Sequence, residues 1–191
     1  SGTGIGNYVI TYNNGSMTVT PATITISAAA NDKVYNGNTT ASVTLTPTGI
    51  LAADSSAVSI AYASANFASK NVAYAGTPSV VTSQAVDVSG INLTGSAASN
   101  YTLAGVTSAS TNAKITPAPF TVVAVASDKV YDNTNLATVT VSGNQINGDV
   151  VNIAYTGATF ASSNVAYASG VVAPQAVTVS GLSLSGAQSG N

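Results

Sequence analysis

The chain of 191 residues carries four lysines and six aspartates and contains no Glu, Arg, His, Cys or Trp. Four scattered lysines cannot neutralise a phosphate track, which excludes nucleic-acid binding. The absence of His and Cys removes most catalytic chemistry, so we expect neither an enzyme nor a cofactor. No apolar run approaches the roughly 20 residues of a membrane span, so we expect no membrane insertion. The 45% hydrophobic content, with 25 Ser and 25 Thr to hydrate the surface, indicates a folded chain.

Short runs of alternating apolar and hydroxyl residues predict β-strands from one end of the chain to the other. Clear examples lie at residues 9–12, 23–26, 42–45, 177–180 and 182–184. The only stretch that allows a short helical turn is 64–69. We therefore predict an all-β fold of tandem Ig-like antiparallel β-sandwich repeats. A β-grasp-like mixed module is the alternative, and it needs a helix that the sequence does not show.

Internal repeats organise these predicted strands. Four blocks recur in the same order: DKVYN at 32–36 as DKVYD at 128–132, IAY at 60–62 and 153–155, FASKNVAYA at 67–75 as FASSNVAYA at 160–168, and QAVDVSG at 84–90 as QAVTVSG at 175–181. The offset falls from 96 to 93 to 91, so the second copy has lost a few loop residues. A periodic block order of this kind is typical of repeat proteins.

The junctions recur as well, and they set the predicted domains. Thr-Pro-Ala occurs around Pro21 and again, 96 residues later, around Pro117, and a proline there ends strand pairing. We place β-sandwich repeats at 22–117 and 118–191. Residues 1–21, with the hairpin signal Asn13-Asn14-Gly15, are interpreted as the closing β-hairpin of a preceding or neighbouring repeat. The repeat at 118–191 is predicted to lack its closing strands.

The blocks resemble a known family. Lys33-Val34-Tyr35-Asn36-Gly37 and its second copy at 129–133, the FASKNV block and the Val-Ser-Gly blocks are similar to the YDG and MBG repeats of large bacterial surface proteins. The resemblance implies tandem stalk modules of filamentous-haemagglutinin-like adhesins, exported by two-partner secretion. It also implies an extracellular location on the bacterial cell or in a biofilm. Neither copy has the full Tyr-Asp-Gly triplet.

Candidate site residues fall into three groups. Aromatic residues and prolines at matched positions are interpreted as structural anchors of the repeat: Tyr35, Tyr131, Tyr62, Tyr155, Phe67, Phe160, Tyr74, Tyr167, Pro21 and Pro117. Oxygen-bearing loop residues are weak calcium candidates, better interpreted as turn formers: Asp128, Asp132, Asn133 and Asn135. An apolar pattern near the start of the chain predicts an inter-subunit strand: Tyr8, Ile10, Tyr12, Met17 and Val19.

Together these features predict a non-catalytic structural repeat of an extracellular adhesin stalk or filament. Its expected partners are adjacent copies of the same repeat, within one chain or head-to-tail between chains through strand addition. The alternative is a module that binds a glycan or a host or matrix protein through its loops.

Overall fold

The computed structural model describes residues 5–9, 11–77, 79–146 and 148–191. The described residues form an all-β structure, in which the only helical segments are 3-10 turns at Ile5–Asn7, Ala52–Asp54 and Ala98–Asn100. Residues 64–69, which allowed a helical turn in the sequence, instead contain a strand at Ser64–Phe67. Among the described residues, no helix has the length and apolar character needed to cross a bilayer.

The first unit (residues 22–117) contains thirteen short strands. They are β1 Ala22–Thr23, β2 Thr25–Ala30, β3 Lys33–Val34, β4 Val43–Thr48, β5 Ser59–Ala61, β6 Ser64–Phe67, β7 Tyr74–Ala75, β8 Val80–Val81, β9 Gln84–Ser89, β10 Asn92–Thr94, β11 Tyr101–Thr102, β12 Ser108–Ala113 and β13 Ile115–Thr116. Strand β9 lies between β12 and β6 in an antiparallel sheet, and β2 pairs with β4 in a second layer.

Two strand pairs depart from the purely antiparallel expectation. Strand β1 runs parallel to β11, and β3 runs parallel to β13. Each pair is two residues long and lies where a strand changes its partner. Buried Ile24 separates β1 from β2, and Lys114 separates β12 from β13. These corners join the two layers of the sandwich.

The core of the first unit lies between the two layers. Alternate residues of β9 point inward, so Val86 and Val88 are fully buried while Asp87 and Ser89 face solvent. Ile115 from β13 is buried equally well. The remaining core is supplied by both layers: Tyr35, Ala41, Val43, Ala65, Phe67, Val72, Ile91 and Ala113. The period-two pattern of the sequence therefore selects the inward face, as it does in half-exposed sheets.

The glycine of each Val-Ser-Gly block is required by a tight turn. Gly90, between β9 and β10, has a φ of +68°, and a Cβ there would lie 2.6 Å from the Cβ of Ala63. Gly181 has a φ of +65°, and a Cβ there would lie still closer to a neighbour, 2.1 Å from Oγ1 of Thr156. Only glycine combines this left-handed backbone with the absence of a side chain.

The second unit (residues 118–191) repeats part of this arrangement with eight strands. They are β14 Val122–Ala126, β15 Val139–Gly143, β16 Asn152–Ala154, β17 Gly157–Phe160, β18 Tyr167–Ala168, β19 Val171–Val172, β20 Val177–Ser180 and β21 Ser183–Ser185. Its described residues contain no counterparts of β11, β12 and β13, because the offset of 91 aligns Asn100 with Asn191. As a result β20 pairs only with β17 among the described strands.

The core of the second unit is open where the closing strands of the first unit lie. Tyr35 is 4% exposed in the first unit, whereas its counterpart Tyr131 is 55% exposed. Ile91 is 3% exposed and its counterpart Leu182 is 50% exposed. Only Val139 and Ala158 of this unit are buried hydrophobic residues among those described.

The described residues of the predicted hairpin do not pair with each other in this chain. The described residues 11–21 contain no strand, and all of them are exposed to solvent. Tyr8 and Tyr12 are likewise exposed, and Ile10 lies outside the described residues. An isolated two-stranded hairpin is at best marginally stable in water, so a turn signal without a partner layer does not suffice.

We expect Phe67→Ala to cost about 3–5 kcal/mol, because the ring is fully enclosed by the first-unit core. The matched variant Phe160→Ala should cost less than about 3 kcal/mol, since its site is only partly covered. Chemical denaturation followed by residue-resolved hydrogen exchange measures both. Equal losses in the two variants would contradict an open second core.

Candidate functional site: the contact between the two units

The first polar contact between the units centres on Tyr35. The Tyr35 hydroxyl donates to Oδ1 of Asp149 at 2.7 Å, across 114 residues of sequence. The Asp149 side chain is only 4% exposed, and Lys70 Nζ lies 3.8 Å from the same oxygen. Burial, followed by the hydrogen bond to the Asp149 carboxylate, raises the pKa of Tyr35. The pair therefore joins the core of the first unit to a loop of the second.

The last two residues of the chain form the second polar contact. Val72 N donates to Asn191 Oδ1 at 2.9 Å, and Asn191 Nδ2 donates to Asn71 Oδ1 at 3.0 Å. The Tyr74 hydroxyl donates to the Gly190 carbonyl at 2.6 Å. Ala118 N, at the junction of the units, donates to the Asn191 carbonyl at 2.8 Å. Mostly neutral amide and hydroxyl groups therefore hold this end.

Apolar residues complete the contact. Ile146 of the second unit and Ala118 at the junction pack against the first-unit core. Gly37 lies so close to Ile146 that a Cβ at Gly37 would approach its methyl group to 3.1 Å. A cavity of about 250 Å³ lies between Tyr35, Tyr74 and Phe120. The two units are thus in direct contact, with a small gap at its centre.

In the second unit, the surface that corresponds to the Tyr35 end of the first unit is an open pocket of about 480 Å³. Its lining includes Asp128, Lys129, Tyr131, Phe160, Val165 and Gln175. In the first unit, the corresponding groups hold the corner between β12 and β13. Lys33 N donates to the Lys114 carbonyl at 3.0 Å, and Lys114 N donates to Oδ1 of Asp32 at 2.7 Å. The pocket is therefore a strand-binding surface in the complete unit.

The lysine that precedes each Val-Tyr pair donates hydrogen bonds to the loop that follows it. This role was not predicted from the sequence. Lys33 Nζ donates to the Asn36 side chain, to both oxygens of Asn38 and to the Thr40 carbonyl, all within 3.0 Å. It also lies 5.4 Å from the centre of the Phe67 ring, a cation–π distance. Burial lowers the pKa of Lys33. The fixed spacing of Lys from the following Asn and Thr residues is the signal that could have revealed this role.

The weak calcium candidates lie in the corresponding loop of the second unit. Oδ1 of Asp132 accepts from Lys129 Nζ at 2.7 Å and from the backbone and hydroxyl of Thr134 at 2.9 Å. Asn133 has a left-handed φ of +62° and accepts from the Tyr131 hydroxyl at 3.2 Å. Asn135 supplies its carbonyl to Phe160 N at 2.7 Å, and Asp128 lines the pocket. No cluster of three or more acidic metal-ligand residues occurs in the part of the chain that the structure describes.

The matched aromatic residues differ in burial and in hydrogen-bond partners. Phe67 and Tyr35 are buried in the core. Tyr62 and Tyr155 each donate to the carbonyl of a matched valine, Val43 and Val139, at 3.4 Å and 3.2 Å. Four of the tyrosines interpreted as structural anchors are exposed to solvent in this structure: Tyr62, Tyr74, Tyr131 and Tyr167. The Tyr74 hydroxyl contacts the other unit, whereas the hydroxyls of Tyr62 and Tyr131 donate to groups of their own unit.

The two prolines mark points where pairing changes. Strand β13 ends at Thr116, directly before Pro117, and β1 begins at Ala22, directly after Pro21. Because proline lacks an N–H, it cannot continue the ladder. Both side chains are exposed.

The fold and this contact define a class of protein: a tandem all-β repeat whose units meet end to end. A family model described as YDG domain matches residues 20–111 and again residues 116–191. These two matches cover most of the chain, which therefore belongs to the YDG domain family. No curated protein and no solved structure matches it significantly.

The acidity of Asp132 gives a pH test with an internal control. Hydrogen bonds from Lys129 and Thr134 hold the pKa of Asp132 at about 2, below its ordinary value of 3.8. Its stabilisation is therefore complete above pH 4 and is lost as the pH falls towards 2. We expect the Asp132→Asn variant to melt below the native chain above pH 4. The difference in melting temperature should shrink as the pH falls towards 2.

The first-unit loop is the control, since Asn36 occupies the same position and does not titrate there. Amide resonances of Thr134 should shift between pH 4 and pH 2, while those of Asn38 should not follow the same transition. A Thr134 resonance that does not move in this window would contradict the Lys129–Asp132 contact.

Proposed function

We propose that this chain is a non-catalytic structural segment of an extracellular bacterial stalk or filament, in which YDG units are stacked in series. The observation that carries the proposal is the hydrogen-bonded contact between the units, centred on Tyr35, Asp149 and Asn191. A linker that merely tethers independent domains needs no such contact. Units that share a specific end-to-end contact transmit position and force along the chain.

The junction supports a stiff connection. Only residues 117–121 separate β13 from β14, and two of their backbone groups are held. Ala118 N donates to the Asn191 carbonyl, and Thr121 N donates to Asn144 Oδ1 at 2.7 Å. Flexible linkers rich in Gly and Ser behave as random coils, whereas this segment contains two prolines and fixed hydrogen bonds. We infer that the units keep one relative orientation.

The composition supports an exposed location outside the cell. Trypsin-like proteases cleave after Lys and Arg, and the chain has four lysines and no arginine. Two of those lysines, Lys33 and Lys129, are held in loop hydrogen bonds. With no Cys or Trp and one Met, the chain offers few targets for oxidation. Durability of this kind is useful in a secreted fibre.

A binding module is the second candidate, and one observation favours it. The 480 Å³ pocket of the second unit is lined by the exposed ring of Tyr131, and Tyr167, which follows the lining residue Ala166 in the chain, is exposed as well. Exposed aromatic rings can stack on sugars. The counterparts of these two tyrosines in the first unit, Tyr35 and Tyr74, donate to the following unit. We therefore favour unit-to-unit contact over glycan recognition.

The contact is tested by Tyr35→Phe, which should cost about 1.5–3 kcal/mol because it leaves the buried Asp149 carboxylate without its main donor. The matched control is Tyr131→Phe, which removes only an exposed bond to Asn133. Residual dipolar couplings should fit one alignment frame for both units in the native chain and two frames in Asp149→Ala. Two independent frames in the native chain would contradict stacking in series.

The location is tested separately by immunogold labelling of intact cells that produce the protein. Labelling on the cell exterior or along filaments is the expected result. Labelling confined to the cell interior would overturn the proposed extracellular role.

A further inference from the structure

The loop after β3 contains an asparagine that is directly followed by a glycine. Asn36 is exposed to solvent, and the backbone of Gly37 has a left-handed φ of +79°. Neither the Gly37 N–H nor the Asn36 Nδ2 group donates a hydrogen bond to a described residue. Because glycine has no side chain, nothing on Gly37 itself shields its nitrogen from the neighbouring amide. The pair therefore has the free backbone nitrogen and the free amide group that a cyclisation needs.

Lys33 contacts the carbonyl oxygen of the same amide. Its Nζ donates to Asn36 Oδ1 at 2.9 Å. The ammonium group is itself fixed, because it also donates to both oxygens of Asn38 and to the Thr40 carbonyl. A charged donor withdraws electrons from a carbonyl and stabilises the negative charge that forms on its oxygen when the carbon is attacked. Cγ of Asn36 is thus the activated carbon of the loop.

The second unit shows that this loop accommodates a carboxylate in place of the amide. Asp132 stands where Asn36 does, and its Oδ1 accepts from Lys129 Nζ at 2.7 Å. In both loops the lysine also lies over the ring of the matched phenylalanine, at 5.4 Å in the first unit and 5.8 Å in the second. An aspartate at position 36 therefore has a cationic partner in place.

We propose that Asn36-Gly37 is a self-modification site, at which Asn36 converts to aspartate through a cyclic imide while Lys33 polarises the reacting carbonyl. In the first step the Gly37 nitrogen attacks Cγ of Asn36 and loses its proton to water. The bond from Cγ to Nδ2 breaks, and Nδ2 takes a proton from water and leaves as ammonia. Only the chain and water are consumed. The proposal goes beyond the structural role given above and does not depend on it.

Hydrolysis of the imide has two outcomes, and Lys33 selects between them. Water that attacks Cγ breaks the bond from Cγ to the Gly37 nitrogen and gives aspartate with the normal main chain. Water that attacks the main-chain carbonyl carbon gives isoaspartate, whose main chain runs through Cγ and is longer. Since Lys33 donates to the oxygen on Cγ, it directs water to that carbon, and aspartate is the favoured product.

Packing at the contact between the units favours the same product. Gly37 lies so close to Ile146 that a Cβ at Gly37 would approach its methyl group to 3.1 Å. The preceding residue, Tyr35, is buried and donates to Asp149. A longer main chain between Tyr35 and Gly37 has no room on this side. Aspartate leaves the main chain, and with it the contact, unchanged.

The chain contains its own reference for this reaction. Asn14-Gly15 is the same dipeptide in the exposed segment 11–21, which contains no strand. The residue that stands before Asn14 at the spacing of Lys33 from Asn36 is Thr11, which carries no charge. In this reference pair the imide forms and opens without a cationic donor, so its product ratio measures the reaction without Lys33.

The experiment keeps the native chain at neutral pH for several weeks and follows both sites by peptide mass spectrometry, with electron-transfer fragmentation to distinguish aspartate from isoaspartate. Each site should gain about 1 Da. The ratio of aspartate to isoaspartate should be at least about fivefold larger at residue 36 than at residue 14, because a hydrogen bond from a charged donor discriminates by at least that factor. If Asn36 stayed unmodified after Asn14 had converted, the proposal would be overturned. Equal ratios at the two sites would overturn the role of Lys33.

Lys33→Met tests the lysine itself. Without the cationic donor, the ratio at residue 36 should fall to that at residue 14. The matched control Lys129→Met removes the corresponding lysine of the second unit and should leave the ratio at residue 36 unchanged. Slow amide exchange in β9 identifies a first unit that is still folded, and a high ratio in a folded Lys33→Met chain would contradict the selection by Lys33. If that variant does not fold, the comparison of the two native sites decides alone.

Asn36→Asp supplies the favoured product directly. Its carboxylate should pair with Lys33 as Asp132 pairs with Lys129, which holds the pKa of Asp132 at about 2. The variant should therefore unfold at a higher temperature than the native chain above pH 4, and the gain should disappear as the pH falls towards 2. No gain at neutral pH would contradict the pairing of Lys33 with the product.

Discussion

Closure of the sandwich by residues 108–116 is the constraint on which the first unit depends. Strand β12 gives β9 its second antiparallel neighbour, and β13 inserts Ile115 between the layers. These strands provide hydrogen-bond partners for backbone groups, and they also exclude water from Val86 and Val88. The second unit has the same inward residues at Val177 and Val179, yet both remain partly exposed. Apolar residues at the right period therefore define a face, but burial requires the strand that covers it.

The contact between the units follows from the same closure. Because β13 ends at Thr116, the chain leaves the first unit beside Tyr35, and Ala118 begins the next unit within hydrogen-bond distance of Asn191. Each closing segment thus also delivers the following unit to the end of the preceding one. A repeat built in this way needs few charges, since amides, hydroxyls and backbone groups form most of the contact. This explains how a chain with only ten charged side chains can hold a defined arrangement.

Period-two alternation and block repetition allow the all-β fold, most strand positions and the burial of Tyr35 and Phe67 to be predicted from sequence. The same signals fail for Tyr74 and Asp149, because each acts on a different unit and no local pattern records a partner more than 70 residues away. The signal at Asn13-Asn14-Gly15 is accompanied by no strand in residues 11–21 of this chain for a related reason, since local propensity is weak without a layer to pack against. The parallel pairing of β1 with β11 and of β3 with β13 depends on how the layers meet, which alternation does not encode.

The Lys70–Asp149 pair favours one order of the units over another. At 3.8 Å and with Lys70 partly exposed, the ion pair itself adds little stability. Asp149, however, is buried, and it needs both the Tyr35 hydroxyl and the nearby ammonium group. Ser163 stands in the second unit where Lys70 stands in the first. If the Ser163 end of a second unit docked against Asp149 instead, the carboxylate would lose its cation. A buried charge without its partner is costly, so the pair disfavours the wrong neighbour more than it strengthens the right one. Specificity through such a penalty suits a contact between nearly identical units, where shape alone discriminates poorly.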